Sequence, residues 1–288
     1  MKTPAVGLTL LSIAIWSSLA YLGAGLTHVP PLLLVGISLS IGGLLGAFRF
    51  RSWRVPLFTF AIGVTGIFGY HLLLFLAFQL APAIEANLLN YLWPLLIVLL
   101  APLWLPGYHL KPHHIAGALL GLAGASLILT GGRFQLDRAN LPGYLCAAVA
   151  AFIWASYSLL TKRVPAFPSS AVGGFCLFSG LLAIALHFTL GPGVQTAVIW
   201  GRTDWLRLAL LGIGPMGGAF YLWDAAMKRG DPRVVGSLAY LTPLLSTLLL
   251  ILLDGRDLSA TSAAAMVLII VGAAVGSGDL FLWTATHP

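Results

Sequence analysis

The chain has 288 residues, 59% of them hydrophobic and only 8% charged, with a mean hydropathy of +0.97 and a formal net charge of +7. A soluble domain carries roughly 25% charged residues, so the composition excludes a water-soluble globular protein, and the positive balance calls for a membrane before a nucleic acid. Cys146 and Cys176 both lie in apolar runs and read as packing residues, so no disulfide framework, metal or cofactor is expected.

Met1-Lys2 ahead of an apolar run resembles a signal peptide, but nine similar runs follow, so it is read as a first spanning helix. A span needs about 20 apolar residues. Such runs fall near residues 4–23, 30–48, 56–79, 82–105, 112–131, 141–161, 170–189, 206–227, 232–253 and 260–282. Pro30-Pro31, Pro82, Pro112 and Pro232 stand at run starts, where a missing N–H costs nothing, and Gly107, Gly131-Gly132 and Gly230 mark ends.

The first run carries Trp16-Ser17-Ser18, echoed by Trp154-Ala155-Ser156 in the sixth. The third run holds Gly63, Gly66, Gly69, Tyr70 and His71; the eighth holds Gly212, Gly214, Pro215, Gly217, Gly218 and Tyr221. The fourth carries Asn87, Asn90 and Tyr91-Leu92-Trp93-Pro94, answered by Tyr240-Leu241-Thr242-Pro243 in the ninth. The slide that superposes these two motifs also sets Gly69 on Gly218 and Ala77 on Ala226. The fifth and tenth carry Gly117, Gly121 and Gly124 against Gly272 and Gly276, a close-packing pattern within a monomer or between subunits of a homodimer.

These echoes divide the chain into repeats, residues 1–135 and 136–288. With a cytoplasmic N-terminus the inner segments hold Lys2, Arg49, Arg51, Arg54, Lys111, Lys162, Arg163, Lys228, Arg229 and Arg233, and the outer ones only Arg133, Arg138, Arg202, Arg207 and Arg256. Five helices per half then invert the second half against the first. The expected fold is an all-α membrane protein of ten transmembrane helices in two inverted five-helix repeats, forming one transport unit with both termini cytoplasmic.

At a helical rise of about 1.5 Å per residue, Trp16, Tyr70, His71, Trp93 and Trp154 share one layer near mid-membrane. Tryptophans ordinarily collect at the membrane surfaces, as Trp53, Trp104, Trp200, Trp205 and Trp283 are placed to do. Asn90, Tyr91 and Tyr240 flank the layer, so the candidate substrate-binding set is Trp16, Tyr70, His71, Asn90, Tyr91, Trp93, Trp154 and Tyr240. Pro94 and Pro243, at matching places in two halves, are candidate hinges. Glu85 reads as a structural first-turn carboxylate, Asp224 and Asp279 as interfacial, and His113-His114 as interface residues without an acidic partner.

No lysine or arginine falls near the midplane, which disfavours phosphorylated substrates, since a desolvated dianion needs fixed positive charge. Aromatic, hydroxyl and amide groups with one histidine suit a small zwitterion with an apolar side chain. Rival readings are an intramembrane enzyme, a channel or scaffold, or a carrier for another small metabolite or drug. The paired YLWP/YLTP motifs and the mid-helix Ile-Trp pair resemble the drug/metabolite transporter superfamily, specifically its EamA-like exporters. The Gly69-Tyr70-His71 stretch and Trp93 look most like the aromatic amino-acid exporters of that group. The resemblance implies a non-enzymatic secondary transporter of the bacterial inner membrane that exports aromatic and other neutral amino acids through a central cavity. Trp93 is answered by Thr242, so an asymmetric site is expected.

Overall fold

The computed structural model describes residues 3–133, 136–190, 200–254 and 259–279. Lys2, Arg256, Trp283 and the end of the tenth run lie outside them. The described residues are helical and contain no strand. Among them, eight helices are long and apolar enough to cross a membrane: α1 (Pro4–Ala24), α3 (Leu57–Leu80), α4 (Ala83–Trp104), α5 (Pro112–Thr130), α6 (Arg138–Leu160), α7 (Ser169–Thr189), α8 (Arg202–Arg229) and α9 (Pro232–Leu253). Two apolar helices are shorter. The α2 helix (Pro31–Leu44) stops early and turns by 88° into a 3-10 segment, Ala47–Trp53, and α10 covers Ala260–Gly276. The helices follow the runs expected from hydropathy. The main departure is the second run, which Gly42-Gly43 and Gly46 allow to bend rather than continue to residue 48.

Large apolar side chains such as Phe58, Leu103 and Leu252 stand more than two-thirds exposed, an arrangement that suits lipid and would be unfavourable in water. Between helices, small residues set the approach. A Cβ on Gly272 would lie 2.6 Å from the Gly121 nitrogen, and one on Gly124 2.7 Å from the Ala265 carbonyl, so α5 and α10 meet backbone to backbone. The glycine faces expected to join either the monomer or a dimer are therefore occupied by each other inside one chain. A second seam, which the sequence reading did not single out, joins α2 to α7: Gly43 meets Leu177, and Gly180 meets Gly36 and Ser40.

The two long helices α3 and α8 are each interrupted by one π-helical turn, Thr65–Gly69 and Gly214–Gly218, and the slide that aligns YLWP with YLTP superposes these turns. Each is glycine-rich because the widened turn brings backbone against a neighbour: a side chain on Gly66 would run into the ring of Tyr157. The α4 and α9 helices break at Tyr91 and Tyr240, three residues before Pro94 and Pro243. A proline has no N–H for the carbonyl four residues earlier, so the ladder loosens on the N-terminal side of each proline.

Candidate functional site

The π turns and proline breaks bring α1, α3, α4, α6 and α8 to one aromatic layer. Trp16 is its hub, with ring centroids 5.1 Å from Trp223, 6.1 Å from Trp154 and from Phe220, and 6.2 Å from Trp93. Tyr70 lies 5.2 Å from Trp154 and 4.9 Å from His71, and His71 lies 6.0 Å from Phe220. Most pairs are edge-to-face or tilted, the arrangement the aromatic quadrupole favours. Trp93, Trp154, Phe220 and Trp223 are buried; Trp16, Tyr70 and His71 are partly open.

Hydrogen bonds fix several rings. Trp16 Nε1 donates to the Pro215 carbonyl at 2.9 Å, tying α1 to the π turn of α8. Trp223 Nε1 donates to Ser158 Oγ at 3.0 Å. His71 Nδ1 lies 2.7 Å from the Ile67 carbonyl. A carbonyl can only accept, so Nδ1 carries the proton, and the neutral ring keeps an acceptor lone pair on Nε2. Asn90 donates from Nδ2 to the Tyr70 hydroxyl at 3.2 Å, while its Oδ1 is buried without a partner. Ser156 Oγ and Thr242 Oγ1 are likewise buried and unpartnered. Buried polar atoms of this kind are uncommon and call for an explanation.

Trp16, Tyr70, His71, Trp93 and Trp154 therefore come together, with Asn90 bound to Tyr70. Tyr240 and Tyr91 have another role. The Tyr240 hydroxyl donates to the Tyr91 carbonyl and accepts from the Leu95 N–H, both at 3.2 Å. Positions 91 and 95 would be hydrogen-bonded to each other in an unbroken helix, so the Tyr240 phenol is inserted into the ladder of α4. It is fully buried and packs on Gly121. Two ring residues escaped the sequence reading, Phe220 and Trp223. Phe220 was reachable, since the slide that pairs the YLWP and YLTP motifs sets it on His71. Trp223 has Leu74 as its counterpart, and no pattern marked it.

Charged groups gather away from the layer. Lys162 Nζ reaches the carbonyls of Met227, Lys228 and Gly230 at 2.7, 3.2 and 2.8 Å, closing the C-terminal end of α8 with all three ammonium protons. Asp224, near the end of α8, is buried within the protein and pairs with Lys228 at 2.7 Å, whose Nζ stands 3.2 Å above the Phe167 ring. Glu85 accepts from the Tyr144 hydroxyl, joining the first turn of α4 to α6.

His113 and His114, read from sequence as lacking an acid, have one. Asp279 lies 3.3 Å from His113 Nε2, 3.2 Å from His114 Nε2, 2.9 Å from Lys111 Nζ and 3.7 Å from Arg233 Nη2. The partner was hidden because it sits in the other half of the chain, just past α10. The histidine contacts are at ion-pair distance but are not aligned as hydrogen bonds. The donor atoms of His113, His114 and Asp279 lie within 4.8 Å of one another, close enough for a metal. The chemistry fits a metal poorly. His114 Nδ1 accepts from the Lys111 N–H at 3.2 Å, so its proton sits on Nε2, and two cations already surround the carboxylate. The cluster is an ionic knot joining α5, α9 and the end of α10.

Apolar spanning helices, interrupted where an aromatic layer forms, define a multi-span membrane transporter. The EamA-like transporter family model matches the chain twice, over residues 3–130 and 141–277, and the chain belongs to that family. It is 42% identical to the aromatic amino acid exporter YddG of Ancylobacter novellus over 92% of this chain and 94% of that one. Its identity to the Escherichia coli protein of the same name is 26%, over 96% of each. A solved crystal structure of a protein 40% identical superposes with a TM-score of 0.91, covering all of both chains.

Proposed function

We propose that this protein is a secondary transporter of the bacterial inner membrane that exports aromatic and other neutral amino acids by alternating access. The observation carrying this reading is the layer of four tryptophans with Phe220, Tyr70 and His71, with the unpartnered Asn90 Oδ1 beside it on the side chain that bonds Tyr70. An apolar or aromatic side chain would lie against the rings. The ammonium would be held by cation–π attraction, by His71 Nε2 and by the Asn90 carbonyl oxygen. The relatives at 42% and 26% identity, both named aromatic amino acid exporters, support the substrate class, and the lack of fixed positive charge in the layer, among the described residues, disfavours phosphorylated cargo. No catalytic role is assigned to any residue.

On this reading residues 1–135 and 136–288 are two inverted repeats with ten crossings, both termini are cytoplasmic, and one chain is the transport unit. Support comes from equivalent residues that meet: Trp16 with Trp154, His71 with Phe220, and the Tyr240 hydroxyl with the Tyr91 carbonyl. Such meetings are expected along a two-fold axis between repeats. The segments beyond the breaks toward the proposed cytoplasmic side, 150–160, 219–229 and 232–240, are far more buried than 141–149, 202–213 and 241–253. That asymmetry suits a carrier closed toward the cytoplasm. Hinging at Pro94 and Pro243 would exchange the closed end. Purified protein in liposomes tests the assignment: labelled phenylalanine should accumulate by counterflow, saturate, and be displaced by tryptophan. Equal, unsaturable leakage with and without trans substrate would reject a carrier.

A further inference from the structure

The α2 helix is too short for its task. Its 14 residues rise about 21 Å, against a hydrocarbon core of about 30 Å. The chain then turns by 88° into Ala47–Trp53, so this segment runs nearly at right angles to α2, along the membrane boundary. Its sequence alternates aromatic and basic groups. Phe48 and Phe50 are 80% and 57% exposed, and Arg49 and Arg51 are exposed beside them. Among the described residues no carboxylate lies within ion-pair distance of either arginine.

These four side chains, with Ser52 and Ser170, line a cavity of about 580 Å³ between the α2–α3 linker and the start of α7. Ser52 Oγ donates to the Arg49 carbonyl at 2.7 Å and lies 2.8 Å from Ser170 Oγ, so both hydroxyl protons are used within the wall and the donors left facing the cavity are the two guanidiniums. Guanidinium donors are the groups that recognise a phosphate diester, and exposed phenylalanines at the boundary suit acyl chains. We propose that this cavity binds the phosphate headgroup of an anionic phospholipid of the cytoplasmic leaflet, with its acyl chains over Phe48 and Phe50. The bound lipid completes the membrane passage that α2 leaves unfinished. The leaflet rests on the orientation proposed above; the headgroup chemistry does not.

The test is native mass spectrometry of the purified full chain titrated with phosphatidylglycerol or phosphatidylcholine. Wild type should retain phosphatidylglycerol preferentially. Arg49→Gln and Arg51→Gln should each lower that preference about five-fold, the ratio given by roughly 1 kcal/mol per basic group near an anionic surface. The double lysine variant, R49K/R51K, should keep most of it, which also shows that the segment still folds. Arg133→Gln, at another loop, should leave the preference unchanged; an equal loss there would reduce the effect to overall charge and overturn the site. No preference in wild type, or displacement by millimolar inorganic phosphate as effective as by lipid, would also overturn it. Arg51→Cys labelled only from outside, with lipid preference intact in wild type, would overturn the leaflet and the orientation together.

Discussion

The two halves of the molecule share their backbone irregularities and differ in their chemistry. Thr65–Gly69 and Gly214–Gly218 are π turns at equivalent positions, and Tyr91 and Tyr240 mark equivalent helix breaks. At the same spacing, however, the first half carries Tyr70, His71, Asn90 and Trp93 where the second carries Ala219, Phe220, Ala239 and Thr242. Mechanics, which need two matched rocking units, are kept in duplicate. Recognition of an asymmetric amino acid needs one set of polar groups, and the polar side chains with contacts to the ring layer, Tyr70, His71 and Asn90, all stand in the first half. If that division is right, substitutions in the first-half set should change substrate binding, while those at the matched breaks should change the equilibrium between conformations.

The largest effect is expected at Trp93, which touches Trp16, Trp154 and Trp223. Trp93→Ala removes a ring from the centre of the layer, and large aromatic deletions of this kind cost about 3–5 kcal/mol where packing is lost. Labelled phenylalanine uptake into liposomes should fall at least ten-fold, with insertion unchanged by protease mapping. Wild-type transport from well-inserted Trp93→Ala protein would remove the ring from the site.

His71 and Phe220 test the asymmetry itself. His71→Gln keeps an acceptor and should retain more transport than His71→Phe, which makes the two halves alike at this position. The expected separation is about ten-fold, the value of one charge-assisted hydrogen bond of roughly 1.5 kcal/mol, read as the concentration of phenylalanine giving half-maximal counterflow. Equal half-saturation for the two variants would leave His71 as a packing residue and end the claim that polar recognition lives in the first half.

Tyr240 acts on structure rather than on substrate. Tyr240→Phe leaves the Leu95 N–H and the Tyr91 carbonyl without the hydroxyl that bridges them. Either they stay apart, at a cost of about 1–3 kcal/mol for an unsatisfied buried group, or α4 closes its ladder and straightens. Thermal unfolding in detergent separates these, since only the first lowers the midpoint. Pro94→Ala and Pro243→Ala should also act on the equilibrium, in opposite senses if the halves are inverted. Cysteine accessibility from each side of the membrane reads the sense, and identical shifts would contradict the inversion.

Much of this was legible in the chain. Composition and the spacing of prolines and glycines placed all the long helices, because a bilayer demands continuous apolar length and leaves charge only at the ends. Trp16, Tyr70, His71, Trp93 and Trp154 could be set at one depth because helical rise is fixed. What hydropathy cannot register is the direction of a side chain. Tyr240 looks like Tyr91's equivalent in a binding layer, yet the phenol turns into α4 as a pin. Trp223 sits one helical turn from Phe220, and no repeat or spacing singles it out. Asp279 and His114 are distant in sequence, so their pairing depended on how α10 returns to α5.

The smallest effect concerns the two helix starts. The first turn of α4 is held by Glu85 and the Tyr144 hydroxyl, one carboxylate and one neutral donor. The matching turn of α9 is held by the knot of Asp231 and Arg233 with Asp279, Lys111, His113 and His114. Partial burial pushes the Asp279 carboxyl up, but the hydrogen bond and charge of Lys111, with the two histidines, outweigh it and hold it below the ordinary 3.8. A carboxylate lowered on folding stabilises the fold above its ordinary range and loses that contribution as pH falls through the lowered value. Asp279→Asn should therefore destabilise the protein at pH 7 by no more than about 1 kcal/mol, because the pair is partly solvent-screened. The gap to wild type should close as the pH falls below about 4. A constant gap for Asp279→Asn from pH 7 down to 3 would mean that its carboxylate charge plays no part in holding α9 to α5 and α10.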